Sequence, residues 1–152
     1  MTAPMTRWVP STSMPLSDAQ RAFLKAPRFA SLATVDPDGG PRQAVAWYDL
    51  LPDDRLLVNS RAGRRWPANL QRDGRVGISV IDVENGESWL GLTARVDAVV
   101  EDVTRAREDI CDLAYRYEDG NPSADSLATF RSQQRITFLL RIEQVHDHLN
   151  EG

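Results

Sequence analysis

Between an apolar run, Leu56 to Asn59, and an amphipathic stretch, Arg64 to Arg72, the chain carries Arg61-Ala62-Gly63-Arg64-Arg65. These residue types at this spacing suit an anion. Gly63 lets the backbone approach a ligand closely. A helix beginning near Arg64 offers unpaired N–H groups and the positive end of its dipole. Clustered arginines give bidentate, charge-assisted bonds to phosphate or carboxylate. The same segment also reads as a solvated basic turn whose arginines pair with the chain's surplus of acids. Residue pattern alone leaves both readings open.

Other chemistries find little support. His146 and His148 are the only histidines. On a strand that spacing points both imidazoles to one face, where Asp147 and Glu151 would be available to a metal. A frayed, solvated end is the expected reading, and no metal site is expected. There is no G-x-S-x-G elbow, H-E-x-x-H pair or Walker-type lysine loop. Asp53-Asp54 sits in a turn, where Asp bonds locally, so hydrolysis is not supported. Cys111 is alone, which rules out an internal disulfide, and its neighbours Ile110, Leu113 and Ala114 make it a buried small hydrophobe. A net charge of −4 with no basic block argues against nucleic acid. Lys25 is the only lysine, and arginine dominance by itself decides nothing.

At 152 residues, 41% hydrophobic and 26% charged, the chain suits one globular domain. Residues 1–15 are expected to form a flexible arm and residues 16–150 the single domain. No apolar run reaches the ~20 residues that span a bilayer, and the N-terminus lacks the apolar middle of a signal peptide, so a cytoplasmic protein is expected.

The elements follow from periodicity and punctuation. Leu16 to Ala26 reads as a helix, with Ser17 and Gln20 as a capping box and Pro27 as its stop. Phe29 to Asp36, Arg42 to Leu50 and Arg55 to Asn59 are strands joined by Pro37-Asp38-Gly39-Gly40 and Pro52-Asp53-Asp54. Arg64 to Arg72 is helical, with Pro67 tolerated only in the first turn. Arg75 to Asp82 is a strand, Asn85-Gly86 the hairpin signal, and Ser88 to Glu101 a long alternating strand. Asp102 caps a helix from Val103 to about Tyr117, whose apolar residues form one stripe. A polar loop, a short helix near Ser126 to Gln133 and a strand from Arg135 to Val145 close the chain. Six strands joined by turns rather than crossover helices predict a mainly antiparallel, mainly β fold, closed or nearly closed as a barrel with flanking helices, and exclude a Rossmann-like alternation.

The order of segments resembles the pyridoxamine-phosphate-oxidase-like split β-barrels, particularly their flavin/deazaflavin oxidoreductase branch. The residues that carry this are Phe29 to Gly39 (FASLATVDPDG), Pro41 to Tyr48 (PRQAVAWY), Leu56 to Arg65 (LLVNSRAGRR), Asn69 to Val76 (NLQRDGRV) and Ser88 to Val96 (SWLGLTARV). The likeness spans about residues 17–145. It implies an FMN-binding-like split-barrel homodimer with its cofactor in a groove at the subunit interface. It further implies that Ala44, Ala46 and Trp47 lie along the ring system. The tail would be held by Asn59, Ser60, Arg61, Gly63, Arg64, Arg65 and Asn69, with Arg64 as the phosphate contact. That branch often has a lysine three residues before the asparagine matching Asn69; here Trp66 stands there, with Arg65 beside it to supply charge. Trp66 would stack on the cofactor or serve as a core or interface residue.

The activity implied is hydride transfer from the reduced deazaflavin coenzyme F420 to a small conjugated or unsaturated substrate, with FMN as the alternative cofactor. The cofactor carries the hard chemistry, so no acid–base pair is required of the chain. Tyr48, Tyr115 or solvent would supply the proton. A cofactor carrier without turnover, or a structural dimer with solvated arginines, are the competing readings.

Overall fold

The computed structural model describes residues 15–149. All but the last residue of the expected arm, and residue 150, lie outside them. Helix α1 (Asp18–Lys25) starts with the anticipated capping box: Gln20 N–H donates to Ser17 Oγ at 3.1 Å and Ser17 N–H to Gln20 Oε1 at 2.9 Å. Strand β1 (Ala30–Val35) turns at Asp36 to Gly40, where Gly39 takes a φ of +89° that a side chain would resist. The expected strand Arg42 to Leu50 is two strands, β2 (Pro41–Ala46) and β3 (Tyr48–Leu50), parted by Trp47.

Strand β4 (Leu56–Arg61), helix α2 (Arg65–Arg72), strand β5 (Arg75–Asp82) and strand β6 (Asn85–Val100) follow. The β5–β6 turn falls on Val83-Glu84 rather than on Asn85-Gly86, with Asp82 paired to Asn85 and Ile81 to Trp89. The Asp82 carboxylate accepts from Glu84 N–H at 3.0 Å, and this side-chain turn sets the reversal two residues early. Helix α3 (Val103–Tyr117) is capped by Asp102, which accepts from the N–H groups of Thr104 and Arg105. Helix α4 (Ala124–Ser132) starts slightly before its expected position, capped by Ser123. Strand β7 (Arg135–His148) closes the described chain.

The strands form one seven-stranded antiparallel sheet in the order β2-β1-β5-β6-β7-β4-β3. One strand more than expected arises from the break at Trp47, and that break explains the topology. β2 and β3 occupy opposite edges of the sheet, yet Trp47 alone joins them. Two residue steps span at most about 7 Å, so the edges must converge there. The sheet therefore curls on itself, as the split-barrel expectation requires.

Inside the curl lie Leu24, Leu32, Leu50, Leu56, Val58, Val80, Leu90, Phe138, Leu140 and Ile142, each essentially inaccessible. A second cluster, Leu57, Ile110, Leu113 and Leu139, sits on the opposite face of β4 and β7 beneath α3. Those two strands are thus covered on both faces, which is why their central residues are buried without alternation. Cys111 is buried with Ala114 and Leu127 between α3 and α4, as expected.

The C-terminus departs from expectation. His146 and His148 are not a frayed end: they pair with Gly91 and Trp89 of β6, and His148 stacks on the Trp89 ring at 4.2 Å. The long partner strand and the indole hold them in the sheet. Among the described residues no group of His, Cys, Asp and Glu is arranged to hold a metal.

Candidate functional site

A cleft of about 350 Å³ opens where β2, β4, α2, α3, α4 and the start of β7 meet. The crossing at Trp47 forms one wall. Trp47 stacks on Tyr117 with centroids 5.1 Å apart and planes 8° from parallel, and meets Phe130 edge-on at 6.3 Å. Phe29 stacks on the same Tyr117 at 5.9 Å, and Phe29, Trp47 and Phe130 all line the cleft. Tyr117 fixes this wall through its hydroxyl, which accepts from Tyr48 N–H at 3.0 Å and donates to the Arg28 carbonyl. Offset and edge-on aromatic contacts of this kind give a rigid, flat, apolar surface.

The cleft also has a cationic part. Arg64 lines the cleft, and Gly63 before it takes a φ of +93°, open to solvent where a Cβ would stand. Arg64 is also the N-cap of α2 but makes no side-chain cap bond, so the first N–H groups of that helix are left to the loop. None of Arg61, Arg64 and Arg65 forms an ion pair with a described residue. The carboxylates that form ion pairs take other partners, for example Asp36 with Arg42, Asp54 with Arg21, Asp73 with Arg75 and Asp97 with Arg55. Among the described residues the surplus acids thus take up none of the loop's arginines in an ion pair, though Asp36 feels the charge of Arg65.

At the base lies Arg135, the first residue of β7 and only 8% exposed. Its Nε–H donates to Asn59 Oδ1 at 3.0 Å and its Nη1 to Gln133 Oε1 at 2.8 Å, while the guanidinium lies over the Phe130 ring. Burial, then the charges of Arg64 and Arg61, push its pKa down to about 10. A cation under this strain of desolvation and like charge favours any anion that enters.

The residues expected at the site separate. Ala46, Trp47, Asn59, Ser60 and Arg64 line the cleft. Ala44, on β2, is partly buried against the core and outside the lining, and Arg61, Gly63 and Arg65 stand exposed outside it too. Asn69 is 1% exposed and turned away: its amide donates to Thr34 Oγ1 at 3.0 Å and to Asp36 at 2.8 Å, bracing α2 on β1. Trp66 is a core residue, 7% exposed and packed on Phe138, and it also lines the cleft. Tyr48 and Tyr115 do not line it. The Tyr48 hydroxyl donates to the Ala26 carbonyl, and burial beside Tyr117 raises its pKa. Tyr115 faces a separate groove between α3 and α4.

Missed from the sequence were Phe29, Val45, Ile110, Phe130 and above all Arg135. One signal was present: Ile136 to Leu140 (ITFLL) is apolar but for Thr137, which suits a strand buried on both faces, so a charge at its head on the covered side would also be enclosed.

The family model for pyridoxamine 5'-phosphate oxidase matches residues 16–148. The chain belongs to that family. Solved structures agree with the match. A structure named as an F420 reductase is 26% identical and superposes with a TM-score of 0.71 over 86% of this chain and 98% of its own. The heme storage protein HutZ from Vibrio cholerae is 22% identical, with a TM-score of 0.66 over 88% of this chain and 95% of its own. A conserved hypothetical protein from Mycobacterium tuberculosis is 21% identical, with a TM-score of 0.66 over 90% and 88%. The last two likenesses concern the fold alone. No curated protein matches the chain. This member of the family has the expected antiparallel split barrel, and among its described residues no helix is long and apolar enough to cross a membrane.

Proposed function

We propose that the protein is an oxidoreductase that binds reduced coenzyme F420 in the cleft and passes hydride to a small conjugated or unsaturated substrate. The observation that carries this is one cleft with two unlike parts: a flat aromatic face at Trp47 and a cationic part at Arg64 and Arg135 without a carboxylate between them. That pairing suits a planar ring joined to a phosphate-bearing tail. The structure named as an F420 reductase, 26% identical, favours the deazaflavin over FMN.

The bound cofactor would supply the hydride and the electrons. The chain's part is binding, orientation and exclusion of water. Arg64, with Arg61 and the exposed Gly63 turn at the rim, would take the phosphate, and Ala46 and Trp47 would face the ring. Ser60 Oγ, which donates to the Arg61 carbonyl at 2.9 Å, would hold the end of β4 in shape. The lining holds no carboxylate, histidine, cysteine, lysine or tyrosine, so the substrate's proton would come from solvent. Phe29 and Val45, 55% and 71% exposed, continue the cleft into an apolar patch with Ile81, and a homodimer would cover it.

One specific observation favours a second reading. A cleft without a group that titrates near neutral pH is also what a cofactor carrier needs. Titrating the protein with F420 and with FMN, by ligand fluorescence and thermal shift, separates the cofactors. Saturable binding of F420 with weaker FMN is expected, and a preference for FMN overturns the lead. Oxidation of the reduced cofactor on a quinone, enone and nitro-compound panel is expected. Binding without any turnover there favours the carrier.

A further inference from the structure

We infer that the groove between α3 and α4 is a second ligand site, apart from the cleft, that takes a small zwitterion: an amino acid or short peptide with both ends free. The inference does not rest on the cofactor reading.

Arg107 Nε–H donates to the Gln133 carbonyl at 2.7 Å, which ties the start of α3 to the end of α4 and sets the two helices side by side. Each helix shows one face to the cleft and another to the groove. α3 places Ile110 in the cleft and Cys111 in the groove, and α4 does the same with Phe130 and Arg131. The groove holds about 440 Å³, and Cys111, buried against Ala114 and Leu127, is its most enclosed lining residue.

The groove carries charges of both signs that do not satisfy one another. Beyond its bond to Gln133 the Arg107 fork has no partner among the described residues, and Arg131 has none there at all. Glu108 and Asp112 stand one turn apart on α3, where like charges repel, and neither has an ion-pair partner among those residues. Elsewhere on the helix partners are supplied: Arg105 pairs with Asp109 at 3.4 Å, one turn on. Arg116, one turn beyond Asp112, turns instead to the backbone at the end of α1 and to Asp49 at 3.7 Å. Two guanidiniums and two carboxylates thus line one groove that keeps them apart.

A free amino acid or peptide supplies both missing partners. Its carboxylate suits the planar forks of Arg107 and Arg131. Its ammonium suits Glu108 and Asp112 and relieves their repulsion. Tyr115, 48% exposed, gives a side chain an aromatic surface to lie on. A ligand of one sign would meet the like-charged pair as well as the opposite one, so each half is opposed where the whole is not. Exposed ion pairs are weak singly, and a molecule that makes both at once gains from the second being intramolecular.

Calorimetric titration with glycylleucine at constant ionic strength tests this, beside two blocked forms, N-acetylglycylleucine and glycylleucinamide. Saturable binding of glycylleucine is expected, with each blocked form about tenfold or more weaker. Arg131→Gln and Glu108→Gln alter exposed side chains and should each weaken glycylleucine about fivefold or more with Tm unchanged. Arg64→Ala, in the cleft, should leave glycylleucine affinity as it is. Absence of saturable binding overturns the inference, as does a blocked form that binds as well as the free peptide. Unchanged affinity in either groove variant overturns it too. So does loss of binding in Arg64→Ala, because the peptide would then occupy the cleft.

Discussion

Two arginines of this chain, Arg116 and Arg135, occupy opposite circumstances. Arg116, near the end of α3, donates to four carbonyls: Tyr48 at 2.8 Å, Lys25 at 2.6 Å, and Leu24 and Ala26 at 3.1 Å each. Three of those lie at the C-terminus of α1, where unpaired carbonyls and the negative end of the helix dipole welcome a cation. Its demands are met by the fold. Arg135 is more deeply buried yet has two neutral acceptors and cationic neighbours. The lesson is that a buried charge alone does not mark a site. What marks one is a charge whose local partners leave part of its field directed into a cleft.

The comparison breaks or sharpens under substitution. The largest effect is expected for Arg116→Ala, which orphans the end of α1 and the β3 backbone together. A loss of about 3 kcal/mol, roughly 6–12 °C in Tm, should follow without direct loss of anion affinity in the folded protein. Calorimetry checks it, and a variant that melts with the wild type would place Arg116 among the ornamental cations. Arg64→Ala should do the reverse. Its Tm should hold or rise, because like charge around Arg135 is relieved, while phosphate-ligand affinity falls about tenfold, or about 1.4 kcal/mol. Unchanged affinity by fluorescence titration would remove the loop from the site.

Asp97→Asn tests the partnered set more gently. Asp97 pairs with Arg55 at 3.1 Å and Arg141 at 3.7 Å, but both arginines have second partners, Asp53 and Glu143. A loss of about 1 kcal/mol in urea unfolding is expected, with anion binding unaltered. A change in ligand affinity would mean that the two sets are coupled.

The smallest effect concerns pH. Hydrogen bonds from Asn69 and then Arg42 hold the Asp36 carboxyl below its ordinary range, Arg21 does the same for Asp54, and Arg75 holds Asp73 down at about 2. As pH falls through about 4, the unfolded chain takes up these protons before the folded one does. Stability present above that pH is therefore lost below it. The urea midpoint should fall between pH 5 and pH 2.5, and fall less in Asp36→Asn. A flat midpoint over that range would show that these pairs add nothing to the fold.

Sequence patterning reached the elements because their causes are local. The capping box at Ser17, the Asp102 cap, the Gly39 turn and the alternation of β1 need only near neighbours, and short connections dictate antiparallel pairing. Even the arginine loop was legible, since Gly63 and the helix start lie within a few residues of Arg64. The failures share a cause. Asn85-Gly86 lost the turn to Asp82, whose side chain offered a nearer acceptor, and the strand through Trp47 broke because its two halves found partners on opposite edges of the sheet.

What the sequence determined by itself is thus a mainly antiparallel barrel with an arginine-rich turn after β4. Tertiary structure alone decided which charges remain available. Arg135 meets Asn59 across 76 residues, Thr137 meets Asp109 across 28, and Arg116 reaches the end of α1 across about 90. An arginine's chemistry depends on whether acceptors saturate it, and those acceptors lie within a few ångströms in space at separations no local pattern encodes.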